Sequence, residues 1–493
     1  MLPLRCHPHL YEFNTWVWLE RLSKQLKRRL TLGHVPDAEW DALQRRGFDL
    51  IWLMGVWERS PESRRLFQAD PAMYPEYEQA LPGWDLGRVV GSPYAVRAYR
   101  PDPRIGTWSE IDRTREKLHA RGMRLILDFV PNHTALDHPW VTEHPEYYVT
   151  GLPPDAERNP GGFFAVEPDY GSPVLIARAR DPYFPPWKDL AQLNLFQPET
   201  RTALRFQLRE IARHCDGVRC DMAMLILNDI FAKTWRGFVS EEPPAEEFWT
   251  EAISSLSGFL WLAEVYWGLE SRLQQLGFDF TYDKTFYDLL RTGQPRELRE
   301  QLSADFAYQS RVARFLENHD EPRSAAVFGR ERQQALATLL ATSPGLRFYH
   351  QGQLEGARIH WPIPLCEAAE EPWDPAITAL YEKTLRLSNE EVFHTGEWKL
   401  LDVRPAGDES SENLIAYRWR SGQAHKIIVL NPAGKTSQGR IPLAGEVSAT
   451  RGYNLCDELN EATYQRSGEE MARHGLYVRL DGYRAHWLDV SPA

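Results

Sequence analysis

Three segments carry a carboxylate at or next to their end, in two of them with an arginine or a histidine close by, the material of acid–base and nucleophilic chemistry. They are Gly217-Val-Arg-Cys-Asp-Met222, Leu262-Ala-Glu264 and Phe315-Leu-Glu-Asn-His-Asp320. Side chains two apart on a strand face the same way, so Arg219 and Asp221 emerge together. A guanidinium beside a carboxylate favours the ionised form. Asp221 is therefore expected to have a lowered pKa and to be available as a nucleophile. Crowded carboxylates raise the pKa of at least one of their number and so supply an acid near neutral pH. Asp221, Glu264 and Asp320 with His133, His319 and Arg219 suit cleavage of a glycosidic bond. That reaction needs one carboxylic acid to protonate the leaving oxygen and one carboxylate to trap an oxocarbenium-like carbon.

Such groups must be held at converging strand ends. Eight candidate strands alternate with helical patterns, at residues 10–19, 50–56, 125–130, 217–222, 260–265, 278–282, 312–317 and 346–350. Several are continuous runs of β-branched and aromatic residues, as in strands covered on both faces. Helices are expected at 40–46, 107–119, 229–239, 269–276, 285–302, 331–341 and 377–387, with Thr107 and Glu110 forming a capping box. The fold expected is α/β, a (β/α)8 TIM barrel over 1–133 and 189–390 whose carboxylates gather at the C-terminal ends of its strands. Residues 134–188, rich in Pro, Gly and aromatics, are too long for an ordinary connection and read as an inserted lobe over that face. From 391 to 493 the pattern turns to short strands at 398–403, 414–419, 426–430, 439–442, 476–480 and 487–490. This predicts a C-terminal all-β sandwich domain.

The formal net charge of −12 argues against nucleic acid and anionic membranes as partners. No apolar run approaches the roughly 20 residues that span a bilayer. The start, Met1-Leu-Pro-Leu-Arg-Cys-His-Pro8, lacks the basic and apolar regions of a secretory signal. The cysteines Cys6, Cys215, Cys220, Cys366 and Cys456 are odd in number and without metal-ligand spacing, which favours a reducing, cytoplasmic setting.

With Asp128-Phe-Val-Pro-Asn-His133 added, the four segments in this order resemble the four signature regions of glycoside hydrolase family 13, the α-amylase family. The likeness extends over roughly residues 10 to 390. It implies Asp221 as the nucleophile forming a β-glycosyl intermediate, Glu264 as general acid and then base, and Asp320 as the group that binds the 2- and 3-hydroxyls in the transition state. It further implies that Arg219 orients Asp221, that Asp128 pairs with Arg219, and that His133 and His319 hydrogen-bond the sugar. Tyr94 matches the family's stacking tyrosine, and Arg323 another recurring position near the site. The family retains anomeric configuration, so its two working carboxyls should lie about 5–5.5 Å apart. Substrates implied are α-linked glucose oligo- or polysaccharides, with no redox or nucleotide cofactor.

Two departures qualify the resemblance. Met224-Leu225 replaces the Lys-His pair that follows the nucleophile in many α-amylases, and Gln192 stands where the family's calcium aspartate is expected. Asn132 remains, but one neutral ligand cannot hold an ion that wants six to eight oxygens, so no metal is expected. Hydrolysis and transfer share the covalent intermediate. The alternative is therefore an α-glucan transglycosylase or trehalose-forming isomerase of the same family. A non-catalytic carbohydrate-binding member would have lost Asp221, Glu264 or Asp320, and all three are present.

Overall fold

The computed structural model describes residues 3–292 and 294–493, so the Met1-Leu2 start of the chain lies outside the described residues. Eight parallel strands close into a barrel: β1 His9–Asn14, β2 Leu50–Met54, β3 Arg124–Phe129, β4 Gly217–Cys220, β5 Leu260–Ala263, β6 Phe280–Tyr282, β7 Val312–Phe315 and β8 Leu346–His350. Each strand pairs with its neighbours in sequence, and β1 pairs with both β2 and β8, so no edge is left open. Leu50-Ile-Trp-Leu-Met54 is buried along its whole length, covered by helices outside and packed side chains inside. β4 opens on Gly217 because a Cβ there would stand 2.5 Å from the Leu260 carbonyl oxygen of the adjoining strand.

The strand expected over 10–19 ends at Asn14. Its side chain accepts from the Val17 amide and starts a helix, Thr15–Gln25, so residues 15–19 are helical. An unbroken apolar run does not distinguish strand from buried helix by its period. The helix expected over 285–302 is two, Lys284–Thr292 and Pro295–Leu302. The second starts on a proline, which cannot continue a preceding helix, and Gly293 between them lies outside the described residues. The helix expected over 229–239 stops at Thr234, and a helix at Pro198–Ala212 was not anticipated. Thr107 and Glu110 do form a capping box, at the head of helix Trp108–His119.

Residues 134–188 carry a three-stranded antiparallel sheet made of Thr150–Gly151, Val174–Ala177 and Phe163–Val166. His133–Ala135 pairs with Leu190–Gln192 at its root. A second excursion, which the sequence pattern did not disclose, follows β2. Trp57–Arg59 pairs with Val96–Pro101, and helices Pro61–Gln68 and Tyr74–Ala80 lie between them.

The C-terminal part holds β9 Glu397–Leu401, β10 Ile415–Ser421, β11 Ala424–Leu430, β12 Ser437–Ile441, β13 Gly452–Asp457, β14 Ala462–Ser467, β15 Leu476–Leu480 and β16 Ala485–Pro492. Six form an antiparallel sheet in the order β9-β10-β11-β16-β13-β14, and β12 pairs with β15. This sandwich has unequal layers. Leu401, Ile427 and Val429 of the large sheet share a core with Ile441, Val478 and Leu480 of the small one. On the other face Trp419 and Trp487 pack their edges on Phe393, and Trp419 Nε1 donates to the Thr342 carbonyl at 2.7 Å. The hairpin β13–β14 was not expected. Among the described residues no helix is long and apolar enough to cross a membrane.

Candidate active site

The site is built outward from Arg219. Its guanidinium is buried and ringed by Tyr94, Trp52 and Tyr282 at 5.0, 5.3 and 5.8 Å from the ring centres. Nη1 donates to Asp221 Oδ1 at 2.6 Å. Nη2 stands 2.8 Å from Glu264 Oε2, yet has no aligned hydrogen-bond partner among the described residues. The two carboxylates therefore share one cation unequally. Glu264 is held from two further sides: the Met222 amide donates to Oε2 at 2.7 Å, and the Tyr266 hydroxyl to Oε1 at 2.6 Å. Met222 reaches this position in the left-handed region, φ 44° and ψ 46°. For a residue with a side chain such a backbone is uncommon, and strain of this kind gathers at functional sites.

Burial pushes the Glu264 carboxyl up to about 7; the Arg219 charge opposes it and the Asp221 carboxylate adds to it. Burial also raises Asp221, against the Arg219 charge and its aligned hydrogen bond. This corrects the expectation that the arginine lowers Asp221: inside the barrel mouth, loss of water outweighs the guanidinium. The two acids differ in how they meet the arginine: only Asp221 receives an aligned donor from Arg219, while Glu264 is held by the Met222 amide and the Tyr266 hydroxyl.

Asp320 stands at the cleft, its side chain 43% exposed. His319 Nε2 lies 2.9 Å from Asp320 Oδ2 and 2.7 Å from the Tyr94 hydroxyl. Desolvation works to raise Asp320, but His319 and Arg219 outweigh it and hold the carboxyl down at about 2. His133 is buried and pushed to about 3 by burial, hence neutral, and its Nε2, 3.8 Å from Asp221 Oδ2, has no hydrogen-bond partner among the described residues. Tyr94, His133, Arg219, Asp221, Glu264, His319 and Asp320 thus come together as one cluster.

Asp128 and Arg323 are placed otherwise. Asp128 faces Arg219 across the β3–β4 register but makes no direct pair with it. Its oxygens accept from Trp52 Nε1 at 3.1 Å and from the Gly55 amide at 2.6 Å, and Gly55 uses a φ of +74° to aim that amide. Burial lifts Asp128 to about 6. It braces the strand end under Arg219 and is closed to a substrate. Arg323 is also buried: Nη1 donates to Glu317 Oε1 at 2.7 Å and to the Gln351 carbonyl at 2.6 Å, Nε donates to the Ile359 carbonyl at 3.1 Å, and Trp361 covers the cation at 4.3 Å. It ties down the loop after β8 and is not open to a sugar.

Several residues of the site have little signal in the sequence. Glu12 on β1 lies with Oε1 2.5 Å from His319 Nδ1. Its only signal was a lone charge within an apolar strand. Trp267, 40% exposed and at φ 65°, meets Tyr183 edge to face at 5.1 Å, three residues beyond Glu264. Of the other tryptophans near strand ends, Trp187 lies beside His133 at 5.7 Å, while Trp57 is buried with Nε1 on the Asp128 carbonyl.

The residues at the family's calcium position do not fit a cation. Gln192 Nε2 donates to the Asn132 carbonyl at 2.9 Å, to Asn132 Oδ1 at 3.1 Å and to the Leu193 carbonyl at 3.1 Å. An amide donor thus occupies the oxygens that an ion would need. Among the described residues no group of three or more His, Cys, Asp or Glu could hold a metal. Met224 and Leu225 are buried in the turn after Asp221, which Trp249 Nε1 fastens by donating to the Ala223 carbonyl at 2.8 Å.

The α-amylase catalytic-domain model matches residues 40–371. Alpha-amylase MalA of Haloarcula japonica is 30% identical over 264 residues, 52% of this chain and 35% of that protein. Probable oligo-1,6-glucosidase 2 of Bacillus subtilis is 24% identical over 371 residues, 64% of this chain and 59% of that one. The chain therefore spans only part of the length of these relatives. Among solved structures, the noncanonic maltogenic α-amylase AmyB of Thermotoga neapolitana superposes with a TM-score of 0.69 at 21% identity, covering 98% of both chains, a likeness of fold. The family model spans well over half of the sequence, and the chain belongs to the α-amylase family, glycoside hydrolase family 13.

Proposed function

We propose that the protein is a retaining α-glycoside hydrolase that cleaves α-linked glucose oligo- or polysaccharides. The observation that carries this reading is the single guanidinium of Arg219 serving two carboxylates unequally: an aligned bond to Asp221 at 2.6 Å and an unaligned approach to Glu264 at 2.8 Å. Opposite environments give two carboxyls opposite roles. Asp221 attacks the anomeric carbon. The glycosidic C–O bond breaks with its electron pair on the leaving oxygen, which takes the proton of Glu264. Glu264, now a carboxylate, then removes a proton from water, whose oxygen attacks the same carbon and releases Asp221. Asp320, ionised and open to the cleft, binds ring hydroxyls as positive charge develops on the sugar. His133 offers a free Nε2 beside Asp221, and Tyr94 offers a ring face over Arg219.

Transfer to a sugar acceptor is the second reading. It is favoured by the exposed, mutually packed Tyr183 and Trp267 next to the general acid, since aromatic faces seat pyranose rings. Product analysis by anion-exchange chromatography on maltoheptaose, starch, maltose and trehalose separates the two. Shorter products alone, lost in the Asp221→Asn variant, are expected. Longer products or a new disaccharide would move the assignment to a transferase or isomerase. Turnover of none of them would sink both readings.

A further inference from the structure

Glu12 has no part in the two-step chemistry, yet it is fully buried at the end of β1, in register with His350 on one side and Trp52 on the other. Its Oε1 lies 2.5 Å from His319 Nδ1. Among the described residues its Oε2 has no hydrogen-bond partner, and it stands 4.0 Å from His350 Nε2. The other nitrogen of His319 faces Asp320 at 2.9 Å and the Tyr94 hydroxyl at 2.7 Å. One imidazole thus links a carboxylate in the barrel interior to the carboxylate that opens on the cleft. A buried carboxylate is costly unless a positive partner meets it. The imidazole between Glu12 and Asp320 meets both only if each nitrogen carries a proton.

We propose that Glu12 is a positioning residue: it holds His319 as the doubly protonated imidazolium, and the Nε2–H of that imidazolium fixes Asp320 ionised and turned toward the substrate. The proposal rests on the reading of Asp320 as the group that binds the sugar in the transition state. Two other buried histidines of this chain mark the contrast. His7 receives the Gly345 amide on Nδ1 and His394 meets the Cys6 carbonyl, neither faces a carboxylate, and burial pushes each to about 3. His319 departs from them: burial works to lower it too, but Asp320 and Glu12 outweigh burial and raise it to about 10.

The groups around the link are few. Trp52 presents its edge to His319 at 5.5 Å. Asp128 and Asp221 are more distant charges that feel His319. Arg219 and His360 act on Asp320. Behind Glu12, His350 Nδ1 is taken by Glu317 at 3.2 Å, and Glu317 is neutralised by Arg323 at 2.7 Å, so neither arginine nor carboxylate from that side compensates for Glu12.

Glu12→Gln keeps the shape and the acceptor oxygen but removes the charge. His319 then loses one proton at neutral pH: the glutamine amide can donate to Nδ1 while the single remaining N–H stays on Nε2 toward Asp320. Asp320 keeps that donor but loses the positive charge beside it. The test uses full-length protein labelled with 15N-histidine and 13C-aspartate. In the wild type both ring nitrogens of His319 are expected to be protonated at pH 8 and Asp320 to be ionised at pH 4. In Glu12→Gln, His319 should be neutral at pH 8 and the Asp320 titration should move up by about one unit or more, the scale of losing one close opposite charge. Glu12→Asp, which keeps the charge, should restore the imidazolium signal.

A neutral His319 in the wild type, or an imidazolium that persists in Glu12→Gln, overturns the proposal. An even loss of activity at all pH values with both titrations unmoved also overturns it, as the mark of a merely structural residue. Should Glu12→Gln fail to fold, the wild-type spectrum still decides. If the glycosidase reading is wrong, the spectra behave as expected while the wild type turns over no glucoside, so the two failures are distinct.

Discussion

Asp221→Asn lowers kcat on maltoheptaose by on the order of 10⁴-fold or more, with the fold and the binding of substrate kept. The expectation follows from what the variant preserves and what it removes. The amide fits the same space and still accepts from Arg219 Nη1, now 2.6 Å from Oδ1, so the cluster around the guanidinium stays assembled. The negative charge that attacks the anomeric carbon is gone, and the two carboxylates nearest the guanidinium are not free to replace it. Asp128 is closed off by Trp52 and Gly55. Glu264 is fastened by Met222 and Tyr266. Stopped-flow turnover with a melting curve as fold control measures this. A loss of only a few-fold would mean that Asp221 is not the nucleophile.

Glu264→Gln lowers kcat by about 10²- to 10⁴-fold on glucans, the range for a positioned acid–base group. The loss should be much smaller on an aryl α-glucoside whose phenolate leaves without a proton. The wild type carries a second sign of the same residue. Its carboxyl is raised from 4.5 to about 7, so the acid form persists to neutral pH, and kcat/KM should fall as pH rises through about 7. The alkaline limb should vanish in the variant on the activated substrate. Linkage adds a control. A folded-state pKa above the unfolded value means that this group's contribution to stability is complete below about 4.5 and is lost as pH rises toward 7. The glutamine variant should lack that loss. An unchanged alkaline limb in Glu264→Gln would assign the acid to another residue.

Much of this site was legible in the sequence because charge is rare in a strand buried on both faces. Arg219, Asp221 and Glu264 stood out against Val218, Cys220, Leu262 and Ala263, all buried, and the barrel brought them together as its strand order requires. The balance of forces on them was not legible. The Arg219–Asp221 spacing implied a lowered carboxyl, and the degree of burial, which no spacing encodes, reverses it. Glu12 was missed for a related reason. It sits in Leu10-Tyr-Glu-Phe13, where the aromatic run reads as one long strand, and its partner His319 lies 307 positions away. Gln192 was readable as a lost ligand, since side-chain type alone shows it, but not as the donor that fills the position. The excursion after β2 escaped because its two helices, Pro61–Gln68 and Tyr74–Ala80, are only eight and seven residues long.

The configuration of the first sugar released tests the central claim most directly. Proton NMR of the wild type acting on a maltooligosaccharide, recorded before mutarotation, reads the anomer at the new reducing end. A double displacement at Asp221 with Glu264 as acid and base yields the α-anomer first, drifting later toward equilibrium. The β-anomer first would require a single displacement by water. Asp221 would then serve as a base and not as a nucleophile, and no covalent glycosyl intermediate would form.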